Sequence, residues 1–148
     1  MKGWNGMFRI NRMTDYAVVL LVDMARKRTV RSAQQIAAET GVPLPTVSKI
    51  MKTLTRDGLV TSVRGAGGGY ALGREPGVIT VADMIQAVEG PIALTSCVEE
   101  AEEECGIESL CPMHGHWTQV NTAVRGALAT VSLADMAADQ PMFGVPAQ

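Results

Sequence analysis

One stretch of the chain, Cys97 to His114, holds residue types that could do chemistry: C-V-E-E-A-E-E-E-C-G-I-E-S-L-C-P-M-H. All three cysteines fall within 15 residues of one another, and none occurs in the other 133. With the histidine they read C-x7-C-x5-C-x2-H. A lone cysteine is often a small buried hydrophobe, but the neighbours here are Glu, Gly, Ser and Pro, the composition of a loop. Thiolates and imidazole in such a loop suit a soft metal or an iron–sulfur cluster. Cys97, Cys105, Cys111 and His114 would supply three sulfurs and one nitrogen. Cys111 is expected at the N-cap of a long helix, with Pro112 at its first position, where free backbone N–H groups favour a thiolate. His114 lies three residues on and projects from the same face. His116 points elsewhere and reads as a surface residue.

Other chemistries remain open on these residues. Cys₃His is a structural zinc set, although zinc sites usually contain a tight C-x2-4-C pair and this loop has none. A metal-free redox switch would need only Cys105 and Cys111. A Cys111–His114 nucleophile pair lacks an orienting residue and an oxyanion motif, so catalysis is not expected. Glu99 to Glu104 carries five glutamates in six residues, which reads as a solvated run between the ligands.

The elements that must position this loop follow from apolar spacing. A first helix is expected from about Asp15 to Arg28, capped by Thr14, with Ala17, Val18, Leu20, Leu21, Met24 and Ala25 at helical intervals. Ser32 and Gln35 form a capping box for a short helix, Ala33 to Thr40, which Gly41 stops. A third helix is expected from about Pro45 to Asp57. It buries Val47, Ile50, Met51 and Leu54 and presents Thr46, Lys49, Lys52, Thr53 and Arg56 outward. Two short helices joined by a glycine turn, the second basic on its outer face, form a helix-turn-helix. Leu59 to Arg64 then alternates as a strand, Gly65-Ala66-Gly67-Gly68-Gly69 turns, and Tyr70-Ala71-Leu72 returns. That hairpin is a wing. The glycines are not a phosphate cradle, because no Gly-Lys-Ser/Thr and no helix follow.

Further on, Thr80 and Asp83 cap a helix from Val81 to Glu89, expected to turn Val81, Met84, Ile85 and Val88 inward. The longest helix is expected from Pro112 to about Thr130. Its Trp117, Val120, Val124, Ala127, Leu128 and Val131 follow a three-to-four spacing. With the front domain already complete, this stripe suits a twofold dimer; packing against the first helix is the other use. Ser132 caps a last short helix, Leu133 to Ala138.

Charge divides the chain. Residues 1–75 carry 12 Lys/Arg against 5 Asp/Glu, a balance of +7, and residues 76–148 carry 1 against 10, a balance of −9. A basic front half and an acidic rear suggest a polyanion-binding module joined to a sensing or assembly module. The odd cysteine count argues against a secreted disulfide framework. No run of 18 apolar residues is present to span a membrane, so a cytoplasmic location is expected. With aromatics at 4%, the core must be built from aliphatic residues and methionine. The expected fold is mainly α with a small β-wing. A loose leader (1–12) precedes a winged helix-turn-helix DNA-binding domain (13–90), a ligand loop (91–111), a long dimerisation helix region (112–138) and a tail (139–148).

This combination resembles the iron–sulfur-cluster-sensing winged-helix transcription regulators, whose members include a regulator of cluster assembly, a nitric-oxide-sensing repressor and a rhizobial iron regulator. The resemblance runs from about Met7 to Met136. It rests on the wing S-V-R-G-A-G-G-G-Y-A-L-G, the helix I-T-V-A-D-M-I-Q-A-V-E-G, the opening M-T-D-Y-A, the S-A-Q-Q-I-A helix and the three cysteines before a histidine. It implies a homodimer reading a palindromic operator in double-stranded DNA. Cys97, Cys105 and Cys111 occupy the cluster-ligand positions, for a 2Fe-2S or 4Fe-4S cluster. His114 matches the fourth ligand of the cluster-assembly regulator, and Asp15 matches the aspartate that the nitric-oxide sensor borrows from its other subunit. Base readout would fall to Thr46, Ser48, Lys49 and Lys52, with Arg56 and Arg64 on phosphate or groove and Gly67 and Tyr70 in the wing. Ser48 stands where some members place an acidic residue, so operator preference does not carry over.

Overall fold

The first helix begins earlier than its apolar spacing predicts. In the computed structural model, which describes residues 10–94, 98, 101, 106, 107, 110–113 and 115–138, α1 spans Arg12–Arg26. Asn11 is its N-cap, accepting from the Met13 amide at 2.7 Å. Thr14, expected as the cap, instead lies buried inside the first turn. An Asn side chain satisfies the orphan N–H groups of a first turn as well as Thr does, so the helix starts three residues earlier than expected, and it ends two residues earlier, at Arg26.

α2 (Ala33–Thr40) carries the expected reciprocal box: Gln35 N–H donates to Ser32 Oγ at 3.2 Å and Ser32 N–H to Gln35 Oε1 at 2.8 Å. Gly41 ends it at φ +79°, the left-handed turn a Cβ disfavours. α3 (Leu44–Arg56) follows, with Pro43 at its N-cap and Val47, Ile50, Met51 and Leu54 buried as the spacing predicts. β1 (Val60–Val63) and β2 (Gly69–Leu72) pair antiparallel, Val60 opposite Leu72 and Val63 opposite Gly69.

The wing is also tied inward. Arg31 bridges Tyr70, with Tyr70 N–H donating to Arg31 O at 2.7 Å and Arg31 N–H to Tyr70 O at 3.2 Å. A Cβ at position 69 would lie 2.2 Å from Arg31 O, so only glycine permits this approach.

A 3-10 turn (Pro76–Val78) leads to α4 (Val81–Glu89), again with its Thr80–Asp83 box. Its most buried residues are Ala82, Met84 and Ala87; Val81, Ile85 and Val88 are only half-buried. The helix is apolar on more than one side, and its small residues face the closest approach, against α1 and α3. α5 spans His116–Leu128 behind Gly115 (φ +86°), and α6 spans Leu133–Ala137 with a Ser132–Asp135 box. α1, at 15 residues, is therefore the longest described helix, and α5 has 13.

After α5 the chain returns to the front domain. Leu133 N–H donates to Ile79 O at 2.7 Å, and Val81 N–H donates to Val131 O at 2.9 Å. Leu133 is fully buried in the same apolar cluster as Leu20, Leu21, Ile36, Ile50, Met51, Leu54 and Met84. α1 runs through the middle of this core, touching α2, α3, α4, α6 and β2.

Candidate nucleic-acid interface and thiol loop

The buried stripe of α3 determines which of its residues face solvent. Lys49 and Lys52 are exposed, and Thr46 and Ser48 are half-buried beside them. Arg64 and Gly67 are exposed at the wing tip. Among the described residues, Lys49, Lys52 and Arg64 take part in no ion pair. These cations are thus open to an external anion. Arg56 and Tyr70 differ from this group. Arg56 pairs with Asp57 at 3.3 Å, and its Nη2 donates to Ala87 O of α4 at 3.4 Å. Tyr70 is half-buried and packs its ring against the core.

The wing is held by a charge cluster that periodicity could not reveal. Arg31 is 6% exposed, and its Nη1 lies 2.8 Å from Asp23 Oδ2 and in contact with Glu39 Oε2. The Arg31 guanidinium beside it, and then Lys27, hold the Glu39 carboxyl below its ordinary range against the opposing effect of burial. Lys27 pairs with the same two acids at 3.2 and 3.3 Å, and those bonds raise its pKa. A buried cation with both partners present is tolerable, and removing one partner is costly. Arg31 thus joins α1 and α2 through its guanidinium and the wing through its backbone.

Of the four expected ligands in the thiol loop, Cys97, Cys105 and His114 lie outside the described residues. Cys111 is a half-buried free thiol. It does not cap the long helix: α5 starts five residues later, with Gly115 as its N-cap, so the Cys111–Pro112 turn precedes the helix. The reason is local, since Gly115 takes the left-handed conformation that separates this turn from α5. Asp15 is exposed in the first turn of α1. No group of three or more His, Cys, Asp or Glu able to hold a metal occurs among the described residues. The donor chemistry of the visible part fits a thiophilic group: one uncommitted thiol in a turn, beside a segment anchored by buried Val98.

α5 itself divides into two strips. Trp117, Val124 and Leu128 are half-buried, whereas Val120, Ala127 and Val131 are exposed. The single run predicted from spacing therefore spans two adjoining faces. On the half-buried strip sits Asn121, fully buried, its Nδ2 donating to Ile92 O and its Oδ1 accepting from Leu94 N–H, both at 2.8 Å. The sequence carried a signal for it: a polar residue at a 4-3-4 spacing among Trp117, Val124 and Leu128.

A basic helix-turn-helix followed by a two-stranded wing defines a winged-helix DNA-binding regulator. Residues 10–139 match the Rrf2 family, described as iron-dependent transcriptional regulators. The chain belongs to that family. It is 32% identical over 140 residues to the HTH-type transcriptional regulator IscR of Xenorhabdus nematophila, covering 93% of this chain and 84% of that protein. Among solved structures it is similar to CymR, the global cysteine regulator of B. subtilis (TM-score 0.65, 32% identity, 88% of this chain and 96% of that one). It is also similar to T. potens IscR (TM-score 0.62, 29% identity, 87% and 85%). The protein is a transcription regulator and not an enzyme.

Proposed function

We propose that the chain works as a homodimer whose affinity for a palindromic operator is set by an iron–sulfur cluster held on Cys97, Cys105, Cys111 and His114, with Asp15 of the other subunit as the alternative fourth ligand. The observation that carries this reading is the placement of the thiols. The only cysteines of the chain lie in one segment, whose last thiol, Cys111, sits uncommitted in a turn just ahead of α5. α5 in turn rests on α4, which packs against α3. When bound, the cluster would supply a redox- and iron-sensitive crosslink between the thiolates. The chain's own residues do the rest. Cys97, Cys105 and Cys111 would hold the group, and α5, α4 and α3 form the packed route by which its loading would reach Lys49 and Lys52. A coupling of about 1–3 kcal/mol would change operator affinity roughly 5- to 150-fold.

Thr46, Ser48, Lys49 and Lys52 are proposed to meet base edges. Arg64 and Gly67 approach the phosphates or the minor groove, and Arg56 and Tyr70 support them from the end of α3 and the base of the wing. Val120, Ala127 and Val131, with Trp117, Val124 and Leu128 behind them, form the dimer helix. The twofold would place half-sites about one helical turn apart. Similarity to CymR favours a second reading, a cluster-free thiol switch on Cys105 and Cys111.

Anaerobic reconstitution with iron and sulfide separates the two. The cluster reading expects a brown protein whose visible absorption disappears in Cys105→Ala, and a colourless wild type would overturn it. Duplexes selected from a random pool should enrich an inverted repeat. Lys49→Ala and Arg64→Ala should each weaken its binding by about 1–3 kcal/mol, and unchanged binding by both would remove the DNA interface from α3 and the wing.

A further inference from the structure

The fully buried residue of α5 is polar, and it holds a piece of chain by two hydrogen bonds. Gly90, at φ +89°, and Pro91 end α4 and turn the backbone away. The segment that follows then engages both ends of the Asn121 amide, Ile92 O accepting from Nδ2 and Leu94 N–H donating to Oδ1. Ile92 and Val98 are buried on either side of that contact. Leu94 stands three residues before Cys97, and Cys111 stands five residues before α5 begins. The segment that carries all three thiols is therefore attached to the same helix at both ends, by covalent continuity on one side and by a two-point amide clasp on the other. Fixing both ends removes part of the entropy that gathering the thiols would otherwise cost.

We infer that Asn121 is a positioning residue for the thiol loop, fixing the segment Ile92 to Leu94 that leads into it against α5. The inference rests on the ligand-loop reading above. α5 lies against α4, and α4 receives the Arg56 guanidinium of α3 at Ala87 O, 3.4 Å away, so the clasp sits on a packed route from loop to recognition helix.

The test uses full-length Asn121→Leu, which keeps the buried volume and removes both bonds, Asn121→Ala, and Gln119→Ala as an exposed control on the same helix. Amide exchange at Leu94 is followed in the metal-free protein. Release of iron to a chelator and the visible circular dichroism are followed in protein reconstituted with iron and sulfide. Affinity for a random-sequence duplex at fixed salt reports the DNA-binding head alone. Loss of two neutral hydrogen bonds predicts Leu94 exchange and iron release each about tenfold faster or more in both Asn121 variants. An altered visible dichroism is expected with them, while duplex affinity and Gln119→Ala stay at wild-type values. Wild-type exchange at Leu94 in Asn121→Leu would overturn the clasp. Duplex affinity falling in parallel with the loop readouts would overturn it too, since Asn121 would then serve the whole fold. A wild type that takes up no chromophore sinks the cluster reading alone, and the Leu94 exchange still decides the clasp.

Discussion

α3 and α5 are both 13 residues long, and they bury opposite things. α3 places four aliphatic side chains in the core, all of them essentially inaccessible. α5 buries one amide, and leaves Val120 44% and Val131, just past its end, 40% exposed. Leu110, beside Cys111, is 86% exposed. The front of the molecule completes itself with contacts inside one chain. The rear presents apolar surface and an uncommitted thiol, which on the proposed reading a second copy and a cluster would engage. On that reading the two parts take their order from different sources, the head from its own core and the rear in large part from what binds it.

Breaking the head should have the largest effect. Leu54→Ala empties a fully buried site and should destabilise the fold by about 2–5 kcal/mol, read by chemical denaturation. A loss below about 1 kcal/mol would mean that this core is not what holds the head.

Val120→Asp tests the other side. It should leave the far-ultraviolet spectrum unchanged while sedimentation shows a dimer becoming a monomer, with a loss of more than about 1 kcal/mol of association energy. A variant that stays dimeric would move the interface off α5.

Ser32→Ala, which removes an N-cap and one half of a capping box, should cost about 1 kcal/mol. The effect should appear in thermal denaturation and leave self-association unchanged.

The smallest effect concerns pH. Glu39 titrates below its ordinary value of 4.5 in the fold, chiefly because Arg31 bonds to it. Its contribution is therefore present above about pH 4.5 and lost as pH falls through the lower folded value. Asp135 behaves in the same direction, through its bond from the Ser132 backbone. Glu39→Gln should flatten the stability profile in the acid limb and lower stability by a constant amount above about pH 5. An identical acid limb in the variant would show that the Arg31 cluster contributes nothing there.

Much of this was legible in the chain. Three capping boxes, at Ser32, Thr80 and Ser132, appear where the residue types require them, because a cap is satisfied within four residues. The α3 stripe and the wing are equally local, depending on a period and on a glycine run. What escaped the sequence were the contacts between distant parts. Thr14 was expected as the cap while Asn11 was assigned to the leader, and only the core on α1 drew Thr14 inside. Val81 and Ile85 looked more buried than Ala82 and Ala87 until two helices pressed close. The Cys111 turn was expected to join the helix that Gly115 separates from it. Arg31 and Asn121 carried almost no local sign of their roles, since their partners stand 8 to 39 positions away.

By itself, then, the sequence determined the helices, their caps, the winged head and the gathering of thiols into one segment, because each depends on near neighbours along the chain. The tertiary structure alone decided that a buried arginine braces the wing, that α5 shows two faces instead of one, and that an asparagine holds the approach to Cys97. Those outcomes depend on which groups lose water together when remote segments pack, and burial of that kind has no period to read.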